Sequence, residues 1–247
     1  MKTKKIELYI HIPFCKSKCR YCDFCSFQAE NAVIDDYITK LKEELIFWGK
    51  KLTKEEVVTV FIGGGTPSYL KEQYIKEICN VIFQYFKVSE NAEITIEANP
   101  GTVDLKKLCT YRESGINRIS FGLQSTIQEE LQYLGRIHTY EQFLQCYNWA
   151  REAGFCNISV DLMSAIPKQT IHSYEKNLRT IAELSPEHIS AYSLIIEEGT
   201  PFYEDENLED LLPSEEDEVR MYQMTAQILK EYGYEQYEIS NYAKKRF

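Results

Sequence analysis

Short β-rich runs alternate with stretches of helical periodicity along this chain. Residues 5–11 (KIELYIH) read as a strand. Ile34, Tyr37, Ile38, Leu41, Leu45 and Trp48 follow at three- and four-residue spacing, in a helix that Gly49 is expected to end. Residues 57–62 (VVTVFI) are a β-branched run typical of a buried parallel strand. A helix over 71–86 and a strand over 93–96 come next. One pattern of helix, glycine and strand then repeats. Its first copy is 103–114, Gly115 and 117–121. Its second is a helix opened by a Thr139–Gln142 capping box and closed at Gly154, then a strand over 157–162. A helix over 171–184 leads to a strand over 188–194. Ser214 and Asp217 cap a last long helix with Val219, Tyr222, Ala226 and Leu229 on one face, and 237–240 is a final strand.

Six or more strands, each followed by a helix, predict an α/β fold with a parallel sheet under helical cover. Right-handed crossovers can close such a sheet into a full or partial barrel. No Pro-, Gly- or Ser-rich linker interrupts the 247 residues, so a single domain over 1–247 is expected. Hydrophobic (44%) and charged (27%) contents are ordinary for a globular chain. No membrane span or signal peptide is legible, which makes the cytoplasm the expected location. A net charge of −10 argues against a nucleic-acid partner. The acid concentrated over 204–217 reads as a solvated loop and a helix start.

The eight cysteines are unevenly spread. Cys79, Cys109, Cys146 and Cys156 are scattered and read as inert thiols, mostly buried. Cys15, Cys19, Cys22 and Cys25 crowd into the loop after the first strand. Thiolates favour zinc or iron–sulfur clusters. The spacing C-x3-C-x2-C offers three close ligands, which on a four-iron cube leave one iron open to the amino and carboxylate groups of S-adenosylmethionine (SAM). A structural zinc site would instead use four ligands, Cys25 included, and a ferredoxin site would need a fourth cysteine. On spacing alone these alternatives stay open.

In parallel α/β folds ligands gather at the C-terminal ends of strands. Gly63, Gly64, Gly65 and Thr66 follow the second strand, where glycines let backbone approach a ligand. Glu97 follows the third; it can hold a ribose or an amino group, or be an exposed loop acid. Gln124 follows the fourth and both donates and accepts hydrogen bonds. Asp161 ends an apolar run, where an acid is costly unless paired or bound. Arg136 can supply a cation. His11, His138, His172 and His188 show no ligand spacing and read as structural or surface residues.

Residues 9–15 (YIHIPFC), 18–24 (KCRYCDF), 63–68 (GGGTPS), 97–100 (EANP), 119–125 (ISFGLQS), 134–138 (LGRIH), 161–163 (DLM) and 191–194 (AYSL) together resemble the radical SAM coproporphyrinogen dehydrogenase family, and within it the heme-chaperone branch. The resemblance runs from about residue 6 to 243. It implies a partial (β/α)6 radical-SAM TIM-type barrel, a [4Fe–4S] cluster on Cys15, Cys19 and Cys22, and SAM lined by Tyr9, Tyr21, Gly64, Gly65, Thr66, Glu97, Gln124, Arg136, Asp161 and Ile195. It also implies heme, a heme-accepting protein and an electron donor as partners. The enzyme alternative is oxygen-independent coproporphyrinogen III dehydrogenation in porphyrin biosynthesis. Only fourteen residues precede Cys15, without the dehydrogenase's long N-terminal arm, which favours the chaperone branch. In the dehydrogenase a fourth cysteine lies two residues after the third; here Cys25 lies three after Cys22. Family members usually continue past Phe247 into a C-terminal domain tied to heme. The chain is thus expected to be a fragment that keeps cluster and SAM but binds heme poorly, with apolar surface on the last helix and around Tyr234, Tyr237 and Tyr242.

Overall fold

The computed structural model describes residues 3–245. Contacts divide them into two compact units interleaved along the chain. The first comprises the chain up to Ser17, Phe24–Ile119 and Asn148–Phe155; the second comprises Lys18–Asp23, Ser120–Tyr147 and the chain from Cys156 onward.

In the first unit β1 (Lys5–Ile12), β2 (Glu56–Gly64) and β3 (Val88–Ala98) lie side by side, all parallel, and alternate with α1 (Asn31–Lys51), α2 (Glu72–Tyr85) and α3 (Leu105–Glu113). Tyr9 pairs with Phe61, His11 with Gly63, and Phe61 with Thr95. Side chains alternate across a strand, so these residues share one face with Glu97. Ile10, Ile12, Val60, Ile62, Ile94 and Ile96 take the opposite face, each 5% exposed or less. Burying each such side chain contributes about 1.5–3 kcal/mol. The first helix does not end at Gly49 but runs to Lys51. Gly49 is there for close approach: a Cβ would stand 2.6 Å from Tyr85 Cβ. Gly115, at φ +90, does close α3 as its position predicted.

In the second unit β4 (Arg118–Gln124), which enters it at Ser120, stands beside β5 (Ile158–Ser164) and β6 (His188–Ser193). The helices α4 (Gln128–Tyr133), α6 (Ile171–Glu183) and α7 (Glu215–Glu231) belong to this unit, as does α5 (Tyr140–Glu152) up to Tyr147. The expected capping box forms at α5, where Thr139 N donates to Gln142 Oε1 (3.0 Å) and Gln142 N to Thr139 Oγ1 (3.3 Å). Ser214 caps α7 by accepting from Asp217 N (3.2 Å). The chain's end departs from expectation. The run at 237–240 is not one strand but spans the turn of an antiparallel hairpin, β7 (Tyr234–Glu238) and β8 (Asn241–Lys244), with β8 paired to β6. The buried stripe of α7 is Met221, Thr225, Ile228 and Leu229, while Val219 and Tyr222 are about half exposed. The buried stripe differs from the expected one because one of its members is polar. Thr225 is buried with its hydroxyl satisfied by Met221 O (2.7 Å) and Tyr174 OH (2.8 Å). Tyr234 and Tyr242 are likewise buried, leaving Tyr237 exposed. Among the described residues no helix is long and apolar enough to cross a membrane.

Candidate cofactor site

Within the first unit, the loop after β1 is stitched to the glycine loop after β2. Gly65 N donates to Ile12 O (2.8 Å), Thr66 N to Phe14 O (2.8 Å) and Cys15 N to Phe27 O (3.0 Å). These bonds bury Cys15 and set its Sγ 3.4 Å from Thr66 Oγ1, which also accepts from Asn99 Nδ2 (2.9 Å). Glycine is required here: a Cβ on Gly65 would stand 2.9 Å from Phe14 O and 3.0 Å from Cys15 Sγ. Gly64, at φ +116, would press a Cβ 2.6 Å from the His11 ring. Its N–H donates instead to Glu97 Oε2 (3.0 Å). Tyr9 stacks on Phe61 and shares a hydrogen bond with His11 Nδ1 (3.1 Å), while His11 Nε2 contacts Cys25 O (3.0 Å). Burial, and then the charge of Glu97, push the Tyr9 phenol pKa up. Cys15, Gly64, Gly65, Thr66, Glu97 and Tyr9 are therefore gathered at the C-terminal ends of three parallel strands, as expected.

Within the second unit, one sheet face carries Gln124 and Asp161, and the loops carry Tyr21 and Arg136. Asp161 pairs with Ser190 and Met163 with Tyr192, so these side chains share a face. Ser120 Oγ donates to Asp161 Oδ1 (3.2 Å) and Tyr192 OH to Gln124 Oε1 (2.9 Å). Gln124 is 4% exposed and held at φ +74, an uncommon conformation for a residue other than glycine. The guanidinium of Arg136 donates through Nη1 to Cys19 Sγ (3.5 Å) and through Nη2 to Gly122 O. Its Nε is shut off from solvent with no hydrogen-bond partner among the described residues. Burial pushes the Tyr21 phenol pKa up; Arg136 opposes that, and Cys19, Cys22 and Asp161 add to it. Burial and then Asp161 act on Tyr192 in the same direction. Ile195, just past β6, is 66% exposed. Tyr192 and Ser120 were missed as site residues. Their signal was the period-2 placement of polar residues on β4 and β6.

His138 is structural, as expected: 3% exposed, with Nε2 3.2 Å from Leu123 O. Burial, reinforced by the Arg136 charge, lowers its pKa to about 3. The unfolded imidazole takes a proton near pH 6.5, so between pH 6.5 and about 3 the unfolded state binds more protons. Stability from this group is complete above pH 6.5 and falls with pH, by up to about 1.4 kcal/mol per unit. Thermal unfolding from pH 7.5 to 5 should show a weaker pH dependence in His138→Gln than in the parent; equal slopes would refute the assignment. Two of the four scattered cysteines are buried as expected, Cys79 and Cys146, with Cys79 pushed up to about 12 by burial. Cys109 is half-buried and Cys156 exposed.

The sequence model of the radical SAM superfamily matches residues 9–181, the stretch that carries all of these groups except Tyr192 and Ile195. The chain belongs to the radical SAM superfamily. The heme chaperone HemW of Bacillus subtilis is 40% identical over 96% of this chain and 63% of its own length. That of Escherichia coli is 38% identical over 99% of this chain and 64% of its own. The chain therefore spans a little under two thirds of these curated relatives. The radical SAM coproporphyrinogen III oxidase HemN of Escherichia coli superposes with a TM-score of 0.91 at 28% identity, over 100% of this chain and 57% of its own. The fold class is accordingly the expected α/β, partial (β/α)6 TIM-type barrel of this superfamily.

A radical SAM protein works with a [4Fe–4S] cluster and SAM. The donor set present fits both. The buried Cys15 thiol, 3.4 Å from the Thr66 hydroxyl, and the Cys19 thiol, which accepts from the Arg136 guanidinium, are soft sulfur ligands of the kind an iron–sulfur cluster takes. The partnerless Nε of Arg136 leaves a donor for an anionic group. Among the described residues no three His, Cys, Asp or Glu side chains stand close enough to share one metal ion. A cubane takes each thiolate on a different iron, so its ligands stand farther apart than those of a single ion.

Proposed function

We propose that this chain is the cofactor-binding part of a heme-trafficking chaperone, in which Cys15, Cys19 and Cys22 ligate the [4Fe–4S] cluster. The observation that carries this reading is the 38–40% identity to heme chaperones over nearly the whole chain, against 28% for the coproporphyrinogen oxidase. When bound, the cluster and SAM supply one-electron chemistry. The chain's own residues bind and orient. Gly64, Gly65 and Thr66 hold the methionine end of SAM through backbone groups and a hydroxyl. Glu97, Gln124 and Asp161 accept from its amino and ribose hydroxyl groups, and Tyr9, Tyr21 and Ile195 border it. Arg136 compensates charge on Cys19. A heme acceptor and an electron donor complete the system, and the cytoplasm is the compartment proposed, because thiols stay reduced there.

The test is to reconstitute the protein anaerobically and supply SAM, a reductant and coproporphyrinogen III. SAM should bind, Asp161→Ala should weaken that binding without removing iron, and no decarboxylated porphyrinogen should form. Catalytic loss of two carboxyl groups from the substrate would replace the chaperone reading with the dehydrogenase one.

A further inference from the structure

Within the second unit, the segment Lys18–Asp23 is held in place through Arg20, the residue between Cys19 and Tyr21. Arg20 N donates to Leu134 O (3.1 Å), and Arg20 O accepts from Phe202 N (3.0 Å). The Arg20 guanidinium donates to Asp205 Oδ2 at 2.7 Å and lies over the Phe202 ring, 4.9 Å from its centroid. Gly135, at φ +72, makes room for it, since a Cβ there would stand 3.1 Å from Arg20 Cγ. Phe202 is 1% exposed and packs with Leu134, Met163, Ile166 and Leu208. Asp205 N donates to Phe202 O (3.3 Å) and Leu208 N to Asp205 O (3.0 Å), so the carboxylate is carried on a turn anchored at both ends in that apolar cluster. The acidic run at 204–217 is thus not all solvated surface. Its second member is 26% exposed at the side chain and engaged with the cysteine loop.

We propose that Asp205 is a positioning residue for the metal-binding loop: by holding Arg20 it fixes the backbone that presents Cys19 and Cys22, and so sets how long the loop retains its cluster. This rests on the reading that those cysteines are cluster ligands. A cluster is lost when one thiolate swings away and a competing ligand takes its iron before it returns. Tying down the residue adjacent to one ligand and two before the other raises the frequency of return. An exposed ion pair would do this feebly. This one is charge-assisted, half-buried, stacked on an aromatic ring and backed by two main-chain bonds.

The experiment uses the full chain, reconstituted anaerobically, and follows iron transfer to bathophenanthroline disulfonate under reducing conditions. Asp205→Asn should release iron about three to ten times faster than the parent, the scale expected for a partly buried charge-assisted contact. Asp205→Glu should restore most of the difference. Asp210→Asn removes the same charge from an exposed position of the same segment and should match the parent. The electron paramagnetic resonance spectrum of the reduced cluster should change in Asp205→Asn and not in Asp210→Asn. Release at the parental rate with an unchanged spectrum overturns the proposal. If Asp205→Asn does not fold, Arg20→Lys, which keeps charge but loses the stacked fork, decides on the same scale: faster release supports the proposal and parental release overturns it. A parent protein that takes up no iron disproves the ligand assignment and this proposal with it, which separates the two failures.

Discussion

Replacing Cys15, Cys19 or Cys22 with alanine should take the anaerobically reconstituted protein from about four irons per chain, as a cubane requires, to near none. Replacing Cys25 should leave the iron in place. The environments explain the difference. Cys15 is buried against Thr66, and Cys19 lies beside the Arg136 guanidinium, so each has a neighbour that favours ligation. Cys25 is exposed, and it is its carbonyl that meets His11, a contact that survives loss of the thiol. Cys79 and Cys146 cannot substitute. Both are buried, and the Cys79 thiol, with a pKa near 12, stays protonated at neutral pH. Iron and acid-labile sulfide analysis on the four variants is the measurement. Iron lost with Cys25 would mean four thiol ligands and would bring back the zinc-type reading.

What the sequence made legible follows from where polar and apolar residues fall. Parallel strands buried on one face, such as the isoleucines and valines of β2 and β3, stand out as β-branched runs. Because ligands collect at the ends of such strands, Cys15, Gly64, Thr66, Glu97, Gln124 and Asp161 could be placed without any knowledge of packing. The failures share one cause: a polar or short element whose burial depends on distant partners. Thr225 hid the true stripe of α7, because a threonine reads as surface unless its hydroxyl partner is known. The short α4 gave too few residues for periodicity to register. The hairpin at the chain's end reads as one strand because Tyr234 and Tyr242, its buried anchors, lie outside the β-rich run at 237–240. Asp205 was absorbed into a charge run from which only its contact with Arg20 distinguishes it.

Glu130→Ala should be the most destabilising single change in the second unit. Glu130 is 5% exposed, and among the described residues no cation bonds to it. Among the described residues its carboxylate is satisfied by neutral donors. Ser125 Oγ (2.6 Å), Asn177 Nδ2 (2.8 Å) and Gln169 Nε2 (3.1 Å) donate to Oε2, and Ser173 Oγ (2.7 Å) donates to Oε1. Asn177 is fixed in that orientation because its Oδ1 accepts from Thr126 N (2.8 Å) and Thr126 Oγ1 (2.6 Å). One acid thereby ties α4 to the segments after β4 and β5 and to the first turn of α6, where the helix N-terminus favours negative charge. Alanine leaves the buried Asn177 amide without this acceptor and takes one of two acceptors from Gln169, which keeps Met163 O (3.3 Å), at about 1–3 kcal/mol each, and opens a cavity besides. A loss of about 3–5 kcal/mol, or on the order of 6–20 °C in Tm for a chain of this size, is expected. Glu130→Gln keeps the shape but turns an NH2 group toward donors, and should cost about half as much. Arg136 N bonds to Leu131 O and Leu134 N to Glu130 O, so the same change loosens the guanidinium beside Cys19 and should weaken SAM binding in the protein that remains folded. Thermal unfolding of the apoprotein gives the first readout and SAM titration of the reconstituted protein the second. A Tm for Glu130→Ala within a degree or two of the parent would show that the four donors find other partners, and that the carboxylate is not what joins these elements.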